Sequence, residues 1–597
     1  MPLLVVLALA ASVTSLGNGF AYDDKWIILA NDRMHSLARW WEFFGQSYWP
    51  PKMYAALYRP LTILAFAVQW TIGGGAPWPF HLTNVLLYVL VTVLLYRLAR
   101  ELMPTLAAWT AAALFAVHPV HVEAVGNSVG QSELWVAVLL LVAMTRYVRW
   151  RREGELGWAR TAALAGLYAV GCLFKENGIV LVALFGALEL TVVQDARPWR
   201  ARLAALRPSY LVFALVAVLA LFARWLVLGT VGGDVPHPVW LEMGTGERLL
   251  TVVGTLVPEW ARLLLWPARL LADYSPLDLV VHRSPSLALL PGIVILAGLA
   301  ALLAASWRRA PVAALGLLVL LVTMAPISNV LFASGVMLAE RTLLLPSVGV
   351  VLVLGAAVPR IVESLHRRAI ALAAGGTLAA LLVAGAVHSA QRQLTWKSTT
   401  EVFITLITDA PLNYRAHYGW GSELIARKLF AQGEREWRVA IGLYPTYDGV
   451  KFDLAKSYSD NRMFAAAVPL YREVLRTTPE RADARAKLVW CLLNVGEYGE
   501  ARDQAIRGLE WGNSPNVFRI LLGRAYKGLR EQPGGMPDAA LPDVRFASAR
   551  ALAAEQAQPF SPRLVSADEY ARAAGDSVRA ETRTGSGEMQ RAVQNTR

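Results

Sequence analysis

Charged residues are scarce in this chain, and their scarcity excludes most soluble folds. Asp, Glu, Lys and Arg make up 17% of the 597 residues, whereas 56% are hydrophobic, and the mean hydropathy is +0.42. A soluble domain cannot bury so much apolar surface in its core. The sequence therefore predicts an integral membrane protein.

Cysteine is almost absent. Cys172 lies in an apolar run and Cys491 in a distant polar region, so a disulfide framework is excluded, while the redox compartment stays open. The net charge of +13 does not indicate nucleic acid, because the arginines form short clusters between hydrophobic runs, where the positive-inside rule accounts for them. We therefore expect no nucleic-acid partner.

The arginine clusters predict the topology. We assign the clusters at 97–100, 146–160, 197–207, 308–309 and 360–368 to cytoplasmic loops. Runs of roughly 17 to 25 apolar residues can span a bilayer. About eleven spans are predicted, at 1–20, 80–96, 105–117, 134–148, 162–173, 178–193, 210–228, 286–305, 311–330, 342–358 and 370–387. With the N-terminus in the cytoplasm, the odd count places the C-terminal region on the outer face.

Some polar segments fit no span. Several spans end in polar groups on the outer side, where charges are costly unless they line a wet cavity. Two amphipathic stretches, 58–72 and 248–274, are predicted to lie in the plane of the membrane interface.

Beyond residue 398 a repeat replaces the hydrophobic runs. Pro411, Pro445 and Pro479 are 34 residues apart, and the same spacing relates an aromatic residue at 430, 464 and 498 and a small residue at 433, 467 and 501. This pattern is typical of tetratricopeptide repeats, whose helix pairs stack into a superhelix with a concave binding face. A fourth, degenerate unit is predicted at 516–530.

The predicted fold class is all-α, with a polytopic membrane domain followed by an α-solenoid of repeats. The predicted domains are a transmembrane domain at 1–390, tetratricopeptide repeats at 400–530 and a partly disordered tail at 531–597.

Two adjacent carboxylates, Asp23 and Asp24, follow the first hydrophobic run. They have a structural interpretation, because an aspartate is a favourable N-cap for a helix that starts near Lys25. They also have a functional one, which the neighbouring segments favour.

Those segments carry a resemblance to a known family. The motifs GNGFAYDDKWIILAND, YRPLTILAF with FHLTNVLLY, LFAVHPVHVEAVGNSVGQSELW, LFKENGIVL, RLLLWPARLLADYSP and LAERTLLLPSVG follow one another between Gly17 and Gly349. In their order, and in the repeats that follow, the chain resembles the transmembrane and tetratricopeptide-repeat protein O-mannosyltransferases. The resemblance implies a GT-C glycosyltransferase fold, a polyprenyl-phosphate sugar donor and an active site on the non-cytoplasmic face.

The resemblance also implies site residues. In that family the acidic pair of the first outer loop is the expected catalytic site, which maps to Asp23 and Asp24. The segment GQSELW departs from the family's Gly-Arg-acidic pattern, because Gln131 stands at the arginine position. A composition rich in Ala, Leu and Arg suggests a bacterial relative, with undecaprenyl phosphate as the carrier and the repeats on the periplasmic side of the inner (plasma) membrane.

The chemistry agrees with this placement. A carboxylate at the water-exposed membrane surface can take the proton of an acceptor hydroxyl as that hydroxyl attacks the anomeric carbon, and one aspartate is enough. The leaving phosphate needs cations, which Arg59, Lys175 or Arg341 can supply. Alternatively, these cations are interface anchors or pair with the acidic residues beside them, Glu176 and Glu340.

Two histidines complete the set of candidate residues. His118 and His121 have a spacing that metal ligands use, but we favour hydrogen bonding or substrate contact, because no third ligand lies nearby. No metal site is predicted and no cofactor is required; the participation of a divalent metal ion stays open but is not favoured. The predicted substrate and donor-phosphate binding residues are Arg59, His118, His121, Glu123, Lys175, Glu176, Glu340 and Arg341.

The sequence thus predicts an inverting membrane glycosyltransferase. It would move mannose or a similar hexose from a polyprenyl-phosphate carrier to a protein or glycan acceptor that the repeats hold. The alternative is a non-catalytic, membrane-anchored scaffold, which one or two spans would suffice to anchor. A transporter of lipid-linked sugars would need charges near mid-span, for which Arg224 is the one candidate.

Overall fold

The computed structural model describes residues 1–50, 57–232, 236–364, 368–512 and 514–532. These residues form helices and no β-strand, which confirms the all-α prediction. They divide into two compact units, of which one contains Met1–Asn413 and the other begins at Tyr414. The tail predicted at 531–597 lies outside the described residues beyond Gln532.

The first unit is built from seventeen described α-helices, α1 to α17 in chain order. They are Pro2–Ser12, Pro60–Gly73, Trp78–Leu102, Thr105–Ala116, Val122–Gly126, Gln131–Glu153, Trp158–Phe174, Leu181–Thr191, Trp199–Leu228, Pro238–Leu241, Thr245–Thr251, Val257–Leu265, Leu290–Arg309, Pro311–Met324, Leu344–Ser364, Arg368–Gln393 and Thr399–Asp409. Short 3-10 and π turns separate many of them and provide most of the polar side chains discussed below.

The chain is an integral membrane protein, since six of its described helices are long and apolar enough to cross a bilayer, or seven if a bent pair counts as one span. The bent pair joins Thr105–Ala116 to Pro119–Gly126 at an angle of 51°. Shorter apolar helices occur at Pro2–Gly17, Pro60–Gly73, Trp158–Phe174 and Pro311–Ile327. The predicted count of about eleven spans is not confirmed, because several predicted spans are short helices interrupted by turns.

Four arginines of the 146–160 cluster lie in the C-terminal part of α6, and the N-terminal end of that helix carries the segment GQSELW. Arg149 and Arg152, near the end of α6, both pair with Glu101 at the end of α3. Arg151, also in α6, pairs with Glu189 in α8. The helix α6 has 23 residues, or about 34 Å at 1.5 Å per residue, which matches the thickness of a bilayer core.

Close helix packing in this unit depends on small residues. The helices α14 and α15 cross at Gly316 and Gly349, where a Cβ on Gly316 would lie 2.6 Å from the carbonyl oxygen of Gly349. Such small-residue crossings let backbones approach where no hydrophobic effect drives helices together. The main core packs α3, α4, α6, α8 and α15 around residues such as Tyr88, Phe115 and Tyr147.

The second unit consists of helix pairs at the predicted period. Its described helices, α18 to α24, are Tyr414–Ala426, Phe430–Leu443, Asp448–Asp460, Phe464–Thr477, Ala482–Val495, Tyr498–Glu510 and Pro515–Glu531. The repeated aromatic residue begins the second helix of each pair, and the repeated proline precedes the first helix by three residues. The small residue lies at the helix crossing, where a Cβ on Gly433 would meet the side chain of Ile425 at 2.7 Å.

Candidate active site

The predicted site residues lie mostly where the helices of the first unit are interrupted. Asp23 and Asp24 follow the 3-10 turn Val13–Gly17, Glu123 lies in the short helix α5, and Arg341 lies in the turn Glu340–Leu343. Arg59 directly precedes α2, and Lys175 with Glu176 separates α7 from α8. Backbone that leaves a helix at membrane depth needs polar partners or a water-lined cavity. The interruptions therefore concentrate polar side chains in one place.

Asp24 is a fully buried structural residue. Its Oδ1 accepts a hydrogen bond from the Val129 N–H at 2.9 Å, and its Oδ2 accepts from the Ala21 N–H at 3.2 Å and the Ser128 N–H at 3.3 Å. It makes no capping bond to the π turn Lys25–Leu29 that follows it. Instead it caps the distant turn Ser128–Gly130. Burial raises the pKa of this carboxyl to about 7, although its three backbone hydrogen bonds oppose the rise.

Asp23, unlike Asp24, is partly exposed and lies next to a cation. About a fifth of its side chain is exposed, and its Oδ2 lies 3.5 Å from Nη2 of Arg341. The residue before it, Tyr22, has a φ of +54°, which is unusual for a bulky residue. Tyr22 is held in this conformation because its N–H donates to Thr399 Oγ1 at 3.0 Å and its hydroxyl donates to Asp273 at 3.1 Å. The strained backbone at Tyr22 thus positions Asp23.

Arg341 links Asp23 to a second carboxylate, Glu123. The Arg341 Nη1 donates to Glu123 Oε1 at 2.5 Å, and the backbone N–H of Arg341 donates to Glu123 Oε2 at 2.8 Å. Glu123 is almost fully buried, whereas a fifth of the Arg341 side chain is exposed. Glu123 therefore fixes the guanidinium at the surface of the site, next to Asp23.

Two further cations are paired more deeply. Arg59 donates through Nε and Nη2 to the carboxylate of Glu176, at 2.9 and 2.5 Å, and its guanidinium lies 5.0 Å above the ring of Tyr48. Burial alone would raise the pKa of Glu176, but the attraction of Arg59, its hydrogen bonds and the charge of Lys175 together lower this pKa to about 2. Lys175 pairs with Glu133 instead, and both side chains are almost fully buried.

The electrostatic interactions join these groups into one charged cluster. Arg341 interacts with Glu133 as well as with Asp23, and Lys175 interacts with Arg59 and Glu176. The Tyr48 hydroxyl interacts with both aspartates and with both arginines. The charged cluster contains five carboxylates and three cations, namely Asp23, Asp24, Glu123, Glu133, Glu176, Arg59, Lys175 and Arg341.

The cations do not pair with the acidic residues beside them in sequence. Arg341 pairs with Glu123 rather than Glu340, and Lys175 pairs with Glu133 rather than Glu176. Glu340 accepts hydrogen bonds from the Leu271 N–H at 2.6 Å and the Tyr274 hydroxyl at 2.7 Å. It therefore lies next to the charged cluster and supports the loop that follows α12.

The two predicted histidines are used in internal hydrogen bonds. His118 accepts from the Val120 N–H through Nδ1, and its Nε2 lies 3.1 Å from the Leu264 carbonyl oxygen. His121 uses its two ring nitrogens on the hydroxyls of Tyr88 and Ser347, at 2.9 and 2.8 Å. The part of the chain that the structure describes contains no group of three residues placed to bind a metal ion.

Gln131, the residue at the expected arginine position, belongs to a neutral network. Its amide pairs with that of Gln69 through bonds of 2.7 and 3.1 Å, and its Nε2 also donates to Asn84 Oδ1 at 2.8 Å. Asn84 in turn donates to the carbonyl groups of Val125 and Asn127. Through Asn84, Gln131 therefore supports the backbone that leads into the Ser128–Gly130 turn, which Asp24 caps.

Sequence reasoning missed two members of the site, Glu133 and Tyr48. The signal for Glu133 was present, because a carboxylate within an apolar span requires a partner. Tyr48 lies in a loop rich in aromatic residues, and nothing in its spacing distinguishes it from its neighbours.

Comparisons with known proteins agree with the motifs. The tetratricopeptide repeat family model matches residues 458–521. Protein O-mannosyl-transferase Tmtc1 of Drosophila melanogaster is 27% identical over 543 residues, which cover 75% of this chain and 62% of that protein. Protein O-mannosyl-transferase TMTC4 of Homo sapiens is 26% identical over 472 residues, which cover 70% of this chain and 63% of that protein.

A third relative matches a shorter part of the chain with a higher sequence identity. Protein O-mannosyl-transferase Tmtc2 of Drosophila melanogaster is 38% identical over 195 residues, which cover 30% of this chain and 21% of that protein. The chain spans about a fifth of the length of that relative, and about three-fifths of the two that it matches more extensively. The resemblance to transmembrane and tetratricopeptide-repeat O-mannosyltransferases is thereby confirmed, and so is the prediction of tetratricopeptide repeats.

Proposed function

We propose that this chain is a membrane glycosyltransferase with Asp23 as its catalytic base. It transfers mannose or a similar hexose from a polyprenyl-phosphate carrier to an acceptor hydroxyl at the outer face of the membrane. The similarity to proteins named protein O-mannosyl-transferases supports the reaction class and a protein as the acceptor. The observation that carries the assignment of the base is the contrast between a partly exposed Asp23 and a buried Asp24.

The proposed reaction is a single displacement. The Asp23 carboxylate accepts the proton of the acceptor hydroxyl, while the hydroxyl oxygen forms a bond to the anomeric carbon. The bond between that carbon and the phosphate oxygen breaks, and its electron pair leaves with the polyprenyl phosphate. Attack opposite to the leaving group inverts the configuration of the anomeric carbon.

Arg341 is the cation best placed to stabilise the leaving phosphate. Its guanidinium is partly exposed, lies 3.5 Å from Asp23 and is oriented by Glu123. A preorganised donor of this kind stabilises charge that develops in the transition state without reorganisation during the reaction. Arg59 and Lys175 are more deeply buried. We assign them to the positive potential of the site and to the positioning of Glu176 and Glu133.

The buried aspartate has a positioning role in this proposal. Asp24 holds the Ser128–Gly130 turn through two backbone N–H groups and its own loop through a third. That arrangement fixes the segment on which Asp23 stands. The repeats of the second unit are proposed to bind the acceptor polypeptide, as helical repeats commonly bind extended partners.

The test is the transfer of mannose from a polyprenyl-phosphate donor to acceptor peptides by the purified full chain. Asp23→Asn removes the proton acceptor and keeps the shape of the side chain. We expect turnover to fall by about 10² to 10⁴, the usual contribution of a general base. Asp32→Asn is the matched control, because the Asp32 side chain is 98% exposed in the same loop. Full activity of Asp23→Asn would refute the assignment.

A further inference from the structure

A cavity of about 270 Å³ lies beside α12, outside the charged cluster. It is lined by Glu259, Arg262, Arg269, Leu271, Tyr274 and Asp278. Small-molecule sites are usually lined mostly by apolar side chains with a few polar groups. Here two guanidinium groups and two carboxylates share one small space, and their charges balance.

One wall of the cavity is rigid. Arg262 donates through Nε and Nη2 to the Glu259 carboxylate, at 2.9 and 2.5 Å, and through Nη1 to the Arg269 carbonyl oxygen at 2.9 Å. The Tyr274 hydroxyl donates to Glu340, so the tyrosine ring is held in place. These bonds fix the orientation of the lining groups before any ligand binds.

The other wall retains unused hydrogen-bonding capacity. Asp278 Oδ2 accepts from Asn413 Nδ2 at 2.6 Å and from Ser275 Oγ at 3.5 Å, and the carboxylate also bonds to the Ser275 backbone. A carboxylate can accept about four hydrogen bonds, so part of the acceptor capacity of Asp278 is unused. Arg269 donates from Nη2 to the Asp409 carbonyl oxygen at 2.8 Å, and its Nε and Nη1 have no partner within the described part of the chain. Burial raises the pKa of Asp278 to about 6, so the group is mostly an acceptor at neutral pH.

The cavity is close to the proposed base. Tyr274, which lines it, bonds to Glu340, and the next residue, Arg341, contacts Asp23. The residue before Tyr274 is Asp273, whose carboxylate accepts from the hydroxyl of Tyr22. Two side-chain contacts and the peptide bond between Glu340 and Arg341 therefore connect the lining of the cavity to the residue that we assign as the base.

We propose that this cavity binds a monosaccharide, a neutral pyranose whose hydroxyl groups contact Asp278 and Arg269. A sugar hydroxyl both donates and accepts hydrogen bonds, so it can use the carboxylate and the guanidinium together. Neither an anion nor a cation gains a net attraction here, because the two carboxylates and the two guanidinium groups balance. An apolar lipid chain would leave four charged groups desolvated. The choice of a hexose as the ligand rests on the proposed function, which names the sugar class.

The test measures binding without turnover. Methyl α-mannoside is added to the full chain in nanodiscs, and its contact with the protein is followed by saturation-transfer difference NMR. Asp278→Asn keeps an oxygen that can accept from Asn413, and we expect it to bind the mannoside at least about tenfold more weakly, the equivalent of roughly 1.4 kcal/mol. Arg269→Gln should have the same effect.

Arg283→Gln is the matched control. Its guanidinium is exposed, donates to the Glu242 carbonyl oxygen at 3.3 Å and reaches the carboxylates of Glu242 and Glu247 only at 4.0 and 3.8 Å. None of these groups lines the cavity, so this variant should bind like the native chain. Absence of mannoside binding to the native chain would overturn the proposal. Unchanged affinity in both Asp278→Asn and Arg269→Gln would overturn it as well.

Two sources of the sugar are separated by competition. If the cavity holds the sugar of the donor, mannosyl undecaprenyl phosphate displaces the mannoside and undecaprenyl phosphate does not. If the cavity holds a sugar that is already attached to the acceptor, neither lipid displaces the mannoside. Either of these two results supports the sugar-binding site. Asp23→Asn should retain binding, so a native chain that binds mannoside but transfers no sugar would contradict the proposed function and leave the cavity proposal standing.

Discussion

Asp24→Ala should destabilise the first unit, because it removes the acceptor for three buried backbone N–H groups. The Val129 N–H retains Asn127 Oδ1 at 3.4 Å, whereas the N–H groups of Ala21 and Ser128 keep no other acceptor in the described ranges. An unsatisfied buried donor costs about 1–3 kcal/mol. Two such donors give an expected loss of about 2–6 kcal/mol in the free energy of unfolding.

The assay is thermal unfolding of the detergent-solubilised chain at pH 6, followed by tryptophan fluorescence. Asp32→Ala serves as the control, since substitutions of exposed residues usually change stability by less than about 0.5 kcal/mol. A melting temperature of Asp24→Ala equal to that of the native chain would refute the structural role of Asp24.

The same carboxyl predicts a dependence of stability on pH. Its pKa in the fold is about 7, against an ordinary value of 3.8, so the folded chain binds this proton more tightly than the unfolded chain. The stabilisation that this proton gives the fold, measured as free energy of unfolding, is largest below pH 3.8. It decreases as pH rises from 3.8 to 7 and no longer changes above pH 7. Three pKa units correspond to about 4 kcal/mol. The free energy of unfolding of the native chain, minus that of Asp24→Ala, should therefore decrease between pH 4 and pH 7. A difference that does not change with pH over this range would contradict the prediction.

Two further substitutions test the geometry of the site and of the helix packing. Glu123→Gln should lower turnover by about 10- to 100-fold, because a charge-assisted bond worth about 1.5–3 kcal/mol no longer orients Arg341; unchanged single-turnover rates would contradict this. Gly349→Leu should abolish the folded chain, because a Cβ at this position would lie 2.4 Å from the Gly316 carbonyl oxygen. Size-exclusion chromatography measures that loss, with Gly375→Leu as the control at a glycine that has nothing within 4 Å of its Cβ position.

The sequence predicts the repeats well because their determinants are local. A proline before each pair, an aromatic at the start of the second helix and a small residue at the crossing recur at a fixed spacing, so the pattern specifies the contact. For the candidate site, the sequence predicts only where the site lies, and it does not predict which residues pair there. Polar residues such as Lys175 and Glu123 mark interruptions in apolar helices, and interruptions of this kind meet in the fold.

The pairing within the site is not local, so the sequence does not specify it. Arg341 reaches Glu123 across 218 positions, and the adjacent Glu340 is used elsewhere. For the same reason the two neighbouring aspartates look equivalent in sequence. Asp24 bonds to a turn more than a hundred residues away, and only that contact separates its role from that of Asp23.

Chemical rescue of Asp23→Ala tests most directly whether Asp23 accepts the proton of the acceptor hydroxyl. Formate can enter the space left by the side chain and act as a substitute base. If Asp23 is the base, Asp23→Ala should transfer sugar at least about 100-fold more slowly, and added formate should restore part of that rate. Formate should not restore the rate of Asp24→Ala. Transfer by Asp23→Ala within a few-fold of the native rate, with or without formate, would contradict the assignment of Asp23 as the base.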